Sequence, residues 1–216
     1  MATLLLSIPG NPAPGSNLPK LPPSLSPITS DTFTGGDASD ISGRMTDAVL
    51  GGSPLEWSSG PANSYAISGG RLVRGSYTSG ISGAALNVGS GPIRMTAVLG
   101  ALTSTNLFLD LRKSEPNLGA TLTDCYRLRV TSAGLVEVQR RQGSGSAAVI
   151  STGTHSISAG ASVGLQIVGT EITLLINGDV VEVMTDSSPL IGGWFEIYQG
   201  NAATLNLVSI TFYAVG

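Results

Sequence analysis

The side chains of this chain that could do chemistry are a few carboxylates, one histidine and one cysteine, and their spacing limits what they could do. Glycoside hydrolysis needs an acid and a base or nucleophile facing each other across the sugar. Glu137, Glu182 and Glu196 all fall in strand-like runs, but none has an acidic partner two residues away, and Glu137 stands among basic neighbours. His155 lies in the polar, turn-like run Ser151-Thr152-Gly153-Thr154-His155-Ser156, where a solvated imidazole is expected rather than a base paired with a nucleophile. Cys125 alternates with Arg127 and Arg129, as a small half-buried side chain would.

A single cysteine rules out an intrachain disulfide framework, and a single histidine rules out a multi-histidine metal site. Asp31, Asp37, Asp40 and Asp47 are close in sequence, but their spacing fits no EF-hand, and Gly/Asp-rich turns use Asp to bond backbone. The expectation is therefore no enzyme, no catalytic residue, no metal and no cofactor. For binding, Trp57 and Tyr77 are the loop aromatics that could stack on a sugar. Trp194, next to a Gly-Gly pair, is expected in the core. Arg127, Arg129, Arg140 and Arg141 form a basic outward row, expected to be a solvated strand face balanced by Glu137.

The elements that must position these residues are strands. No segment holds a 3.6-residue apolar period, and 29 glycines separate short alternating runs. Thr32-Phe33-Thr34 is a strand candidate, followed by a long Gly/Ser/Asp loop carrying Trp57 and by Tyr65–Ile67 and Arg71–Val73. Gly83–Val88, Ile93–Leu99 and Asn106–Leu111 come next, the last with Leu107, Leu109 and Leu111 toward the core; Arg112 to Asn117 are expected as a polar turn. Cys125–Val130 and Leu135–Arg140 alternate around Ser132-Ala133-Gly134, with Tyr126, Leu128, Val130, Val136 and Val138 inward. Glu171–Ile176 and Asp179–Met184 flank Asn177-Gly178, the sequence signature of a type I′ hairpin. With about twelve to fourteen strand candidates, the expected fold is all-β, a two-sheet antiparallel jelly-roll sandwich over residues 31–216.

Residues 1–30 differ in kind. Seven of the twelve prolines lie there, which favours extended backbone, yet Leu4, Leu5, Leu6, Ile8, Leu18, Leu21 and Leu25 recur through the stretch. An extended arm of this kind could lie along a neighbouring subunit. Charged residues are only 12% of the chain, and the eleven basic ones are scattered over a net charge of −3, so no nucleic-acid footprint is present. The apolar run Leu4 to Ile8 is too short for a bilayer span or the core of a secretory signal.

The order DTF, YAISGGRLV, CYRLRVTSAGLVEVQR, ITLLINGDVVEV and LVSITFYAVG resembles concanavalin A-like lectin/glucanase and laminin-G-like jelly rolls. It is similar in particular to the versions found in bacteriophage virion proteins. That resemblance implies a virion component made in the host cytoplasm, acting as capsid decoration or cement or within a tail or fibre. Its partners would be major capsid or tail proteins and further copies of itself, with a trimer as one arrangement. The alternative it implies is a lectin-like adhesion module recognising host-surface glycans.

Overall fold

The computed structural model describes residues 23–62, 64–75, 82–100, 106–116, 118, 123–131, 133–143, 145–199 and 206–216. Among these are sixteen strands and no helix. They run β1 (Leu25–Asp31), β2 (Ser58–Gly60), β3 (Tyr65–Ile67), β4 (Leu72–Arg74) and β5 (Ser82–Asn87). Then come β6 (Ile93–Leu99), β7 (Leu107–Lys113), β8 (Cys125–Val130), β9 (Leu135–Arg141), β10 (Ala148–Val149) and β11 (His155–Ser156). The last five are β12 (Ser162–Val168), β13 (Glu171–Ile176), β14 (Asp179–Thr185), β15 (Trp194–Gln199) and β16 (Asn206–Val215).

Two antiparallel sheets of eight strands form the sandwich. One has the order β14-β13-β12-β6-β16-β4-β3, with β1 also paired to β16; the other has β10-β9-β8-β7-β15-β5-β2, with β11 on β9. Period-two alternation explains the layering. Ile93, Met95, Ala97 and Leu99 of β6 are buried while Arg94, Thr96 and Val98 are not. Leu165 lies opposite both Met95 and Leu174, so three adjacent strands present one apolar row to the core. At the hairpin, Asn177 and Gly178 have φ of 54° and 85°, as a type I′ turn requires.

The jelly-roll sandwich is as expected, but its first strand is not Thr32-Phe33-Thr34. Leu25 to Asp31 pair with β16 from Leu25↔Val215 to Asp31↔Ile210, so the sheet begins inside the stretch assigned to the arm. Apolar Leu25 and Ile28 are thus part of the domain's own β-structure, while the arm residues Leu4, Leu5, Leu6, Ile8, Leu18 and Leu21 lie outside the described residues. Phe33 has left the strand conformation, with φ of 55°, and is buried in the core.

Asp31 organises the long loop. Its buried carboxylate accepts from the Phe33 amide at 2.7 Å, the Trp57 indole at 2.8 Å and Arg44 Nη2 at 3.1 Å. Rings then step across the core: Phe33 to Trp57 at 6.3 Å, Trp57 to Phe195 at 6.4 Å and Phe195 to Phe212 at 4.9 Å. Phe195 and Phe212 belong to opposite sheets, so this row ties the loop to both layers.

Candidate functional site

The site is built where β7 meets β15. Trp194 pairs with Lys113 and Glu196 with Asp110, so Leu111 and Arg112 together oppose the single residue Phe195. This is a β-bulge, a device that bends a strand and re-aims a side chain. Arg112 takes a φ of 64°, uncommon for a residue with a Cβ. Gly192 packs against the bulge so closely that a Cβ there would overlap the carbonyls of Arg112 and Lys113.

Because of the bulge, Lys113 falls on the same face as Asp110, beside Glu196. Lys113 Nζ lies 2.6 Å from Glu196 Oε2 with both side chains fully buried, a charge contact rather than an aligned hydrogen bond. Next to it, Arg127 Nε and Nη2 each donate to Asp110 at 2.7 Å, with the guanidinium 4.2 Å from the Phe108 ring centroid. The Leu118 amide donates to Glu196 Oε1 at 3.0 Å, so Leu118 lies over this layer.

The basic row is therefore not a solvated face. Arg127 and Arg141 are buried, Arg129 pairs with Glu137 at 2.6 Å, and Arg140 points the other way, to Asp186. Cys125 sits under the same cover, fully buried rather than half-buried; burial and then the Asp110 charge push its thiol pKa up. Asp110 and Glu196 are also the neighbouring carboxylates that sequence spacing could not reveal, because they are adjacent across strands.

Arg112, like Arg141, bonds a backbone carbonyl rather than a carboxylate. It is 6% exposed, and its Nη2 donates to the Gly91 carbonyl at 2.5 Å, yet its Nε and Nη1 are buried without a hydrogen-bond partner. Among the described residues no carboxylate lies within ion-pairing distance of it. Burial lowers its pKa, with Tyr126 acting in the opposite direction. Two adjoining clefts share this guanidinium. One, of about 190 Å³, adds Ser114, Asp124 and Gly192; the other, of about 250 Å³, adds Ser90, Pro92 and Ile167.

Pro189, Leu190 and Ile191 form the wall common to both clefts, and Ile191 is 80% exposed. A polar network pins this wall. Asp186 Oδ2 accepts from Tyr126 Oη and Arg140 Nε, each at 2.6 Å, while Tyr126 Oη accepts from the Leu190 amide at 3.0 Å. Burial alone would raise the Asp186 pKa, but bonds from Tyr126, the Ser188 amide and Arg140 outweigh it and hold the carboxyl below its usual value.

The other expected site residues lie elsewhere. Trp57 is 1% exposed with its indole N–H committed to Asp31, so it offers no face to a sugar. Tyr77 lies outside the described residues. Trp194 is half-buried rather than core. His155 is not simply solvated: a ring nitrogen lies 3.0 Å from Glu182 Oε2. The acidic run bonds Arg44 and backbone, Asp37 taking the Gly69 amide and Asp40 the Ser42 amide. Among the described residues no group of three or more His, Cys, Asp or Glu is placed to hold a metal.

No protein-family model matches the chain, and no curated sequence does. Solved structures do. One, described in terms of endo-acting O-glycanases of prominent human gut microbiota, has a TM-score of 0.56 at 8% identity, covering 88% of this chain and 100% of that one. The exoplasmic/lumenal domain of VIP36 in its Ca2+/mannose-bound form gives 0.54 at 9% identity, covering 76% and 84%. An endo-β-1,3-glucanase from Pyrococcus furiosus gives 0.53 at 10% identity, covering 89% and 95%. At such identities the likeness establishes the fold alone, an all-β jelly-roll sandwich.

Two outcomes test the site's frame. Glu196→Gln strands a buried ammonium and lowers unfolding free energy by about 3–5 kcal/mol in urea titration, and the double variant K113M/E196L recovers most of that loss; equal losses in both would contradict the pairing. For pH, a carboxyl with a depressed folded pKa contributes stability above its unfolded value, about 3.9 for Asp, and loses it as pH falls through the folded value. Melting temperature therefore drops below about pH 4, and Asp186→Asn, less stable at pH 7, shows a shallower acid limb.

Proposed function

We propose that the chain is a carbohydrate-binding module that takes an acidic sugar at the Arg112 clefts. The observation that carries this is Arg112 itself. A buried donor without a partner costs about 1–3 kcal/mol, more when charged, and a left-handed backbone adds about 1–2 kcal/mol. A domain that retains both in a residue lining two clefts has a use for them, and the group that fits is a carboxylate. Ser114 lines the same cleft as a hydroxyl partner for sugar hydroxyls, Asp124 beside it accepts from the Gly143 amide, and exposed Ile191 offers apolar contact to the ring. The lectin and glucanase company of the fold supports the same class of ligand.

We infer binding rather than hydrolysis. The adjacent carboxylates Asp110 and Glu196 are buried and held by Arg127 and Lys113, leaving neither facing a bound sugar. A virion role rests chiefly on residues 1–30. Residues 25–30 are engaged in the domain's own sheet.

Calorimetric titration with oligogalacturonate, a neutral β-glucan and a sulfated glycan tests the proposal. Saturable binding of the uronate oligomer, at least tenfold tighter than the neutral glucan, is expected. Arg112→Gly suits the φ of 64°, so it should fold with undiminished melting temperature while losing that binding. Uronate affinity unchanged in this variant, or no affinity for any of the three, would overturn the assignment.

A further inference from the structure

The outer face of the sheet that holds β6, β12, β13 and β14 carries a groove of about 500 Å³, a size usual for small-ligand sites. Its floor is a polar row. Arg94, Gln166 and Thr173 stand opposite one another on β6, β12 and β13, and the row ends at Val183 on the edge strand β14. Arg94 Nε and Nη2 both donate to Gln166 Oε1, at 2.9 and 2.6 Å. A guanidinium only donates, so this contact fixes the orientation of the amide and leaves its two Nε2 hydrogens over. Gln166 is 7% exposed, and among the described residues neither its Nε2 nor the Thr173 hydroxyl has a hydrogen-bond partner. Charge is open as well. Arg94 is the one basic side chain lining the groove and Glu171 the one acidic side chain, and among the described residues neither has an ion-pair partner. They stand on β6 and β13, two strand spacings or about 10 Å apart across the sheet. Apolar walls flank them, Pro92, Val168 and Val215 at one end and Val180 and Val183, 59% and 55% exposed, at the other.

We propose that this groove binds a short apolar peptide with free ends, about three residues long, its carboxylate on Arg94 and its ammonium on Glu171. An extended chain spans about 3.3–3.6 Å per residue, so three residues match the distance between the two charges. Gln166 lies on β12, between them, where its free amide hydrogens meet a peptide carbonyl, and the Thr173 hydroxyl beside it pairs with a peptide N–H or carbonyl. Apolar side chains of the peptide cover the β14 valines at one end and Pro92 and Val168 at the other. Other small ligands fit less completely. A fatty acid satisfies Arg94 but leaves Glu171 and the buried amide without partners, and a neutral sugar leaves both ions unmet. The proposal does not depend on sugar binding at Arg112, which is not among the residues lining this groove.

NMR titration of the 15N-labelled full-length chain with trileucine, its C-terminal amide and its N-acetyl form tests this. Free trileucine should shift the Val180 and Val183 amide signals saturably, and each blocked form should bind about tenfold more weakly or worse, the worth of one charge-assisted hydrogen bond. Arg94→Met, on the outer face of the sheet, should abolish the discrimination against the amide alone. Glu171→Gln, at an exposed position, should abolish the discrimination against the acetyl form alone. The absence of a saturable shift at the two valines, blocked forms that bind as tightly as the free peptide, or a discrimination that survives its matching substitution would each overturn the proposal.

Discussion

The site depends on one buried charge contact, Lys113 with Glu196, made by inserting one extra residue into β7. Without the bulge, Lys113 would fall on the opposite face from Asp110 and leave Glu196 buried without its cation. With it, a lysine, an arginine and two carboxylates neutralise one another beneath Leu118, and the inserted residue is placed at the sandwich end beside Ile167 of the other sheet. Arg112 is that residue. The stability of the buried layer and the availability of the guanidinium thus have a common origin, and Gly192 is the small residue that lets the neighbouring chain close over both.

The second requirement is a fixed wall opposite Arg112. Tyr126 leaves the core face of β8 with its ring buried and its hydroxyl at the sandwich end, where it joins Asp186 and Arg140 in holding residues 188–190. Cleft geometry therefore comes from side chains locked by packing and hydrogen bonds, the arrangement that precise recognition needs. Arg112 carries two of the frame's unsatisfied buried donors, its Nε and Nη1. Such local conflicts concentrate at functional positions, where stability is exchanged for affinity.

Much of the scaffold could be seen in the sequence because period-two alternation and turn chemistry are local. Ile93–Leu99, Cys125–Val130 and Glu171–Ile176 are strands over the same bounds as their apolar patterns, and Asn177-Gly178 turns as its chemistry demands. The site was not visible, for physical reasons. Arg112-Lys113 followed by Ser-Glu-Pro has the composition of a turn, and only the partner strand shows that β7 continues through it in a bulge. Pairing of Asp110 with Arg127, and its adjacency to Glu196, depend on register between strands far apart in sequence. Trp57 sits in a polar loop, and its indole is held in the core by buried Asp31, far from it in sequence. One signal was legible, the Gly192-Gly193 pair, which marks a close backbone approach that composition alone does not locate.

The central claim is that Arg112, which lines both clefts without a paired carboxylate, is the arginine that meets a ligand carboxylate. Nitrogen-15 NMR of the arginine Nε–H groups during titration with oligogalacturonate tests it directly. The account predicts a saturable shift of the Arg112 Nε–H signal while that of Arg127, held by Asp110, stays in place. A stationary Arg112 signal in a chain that nonetheless binds the sugar would contradict it.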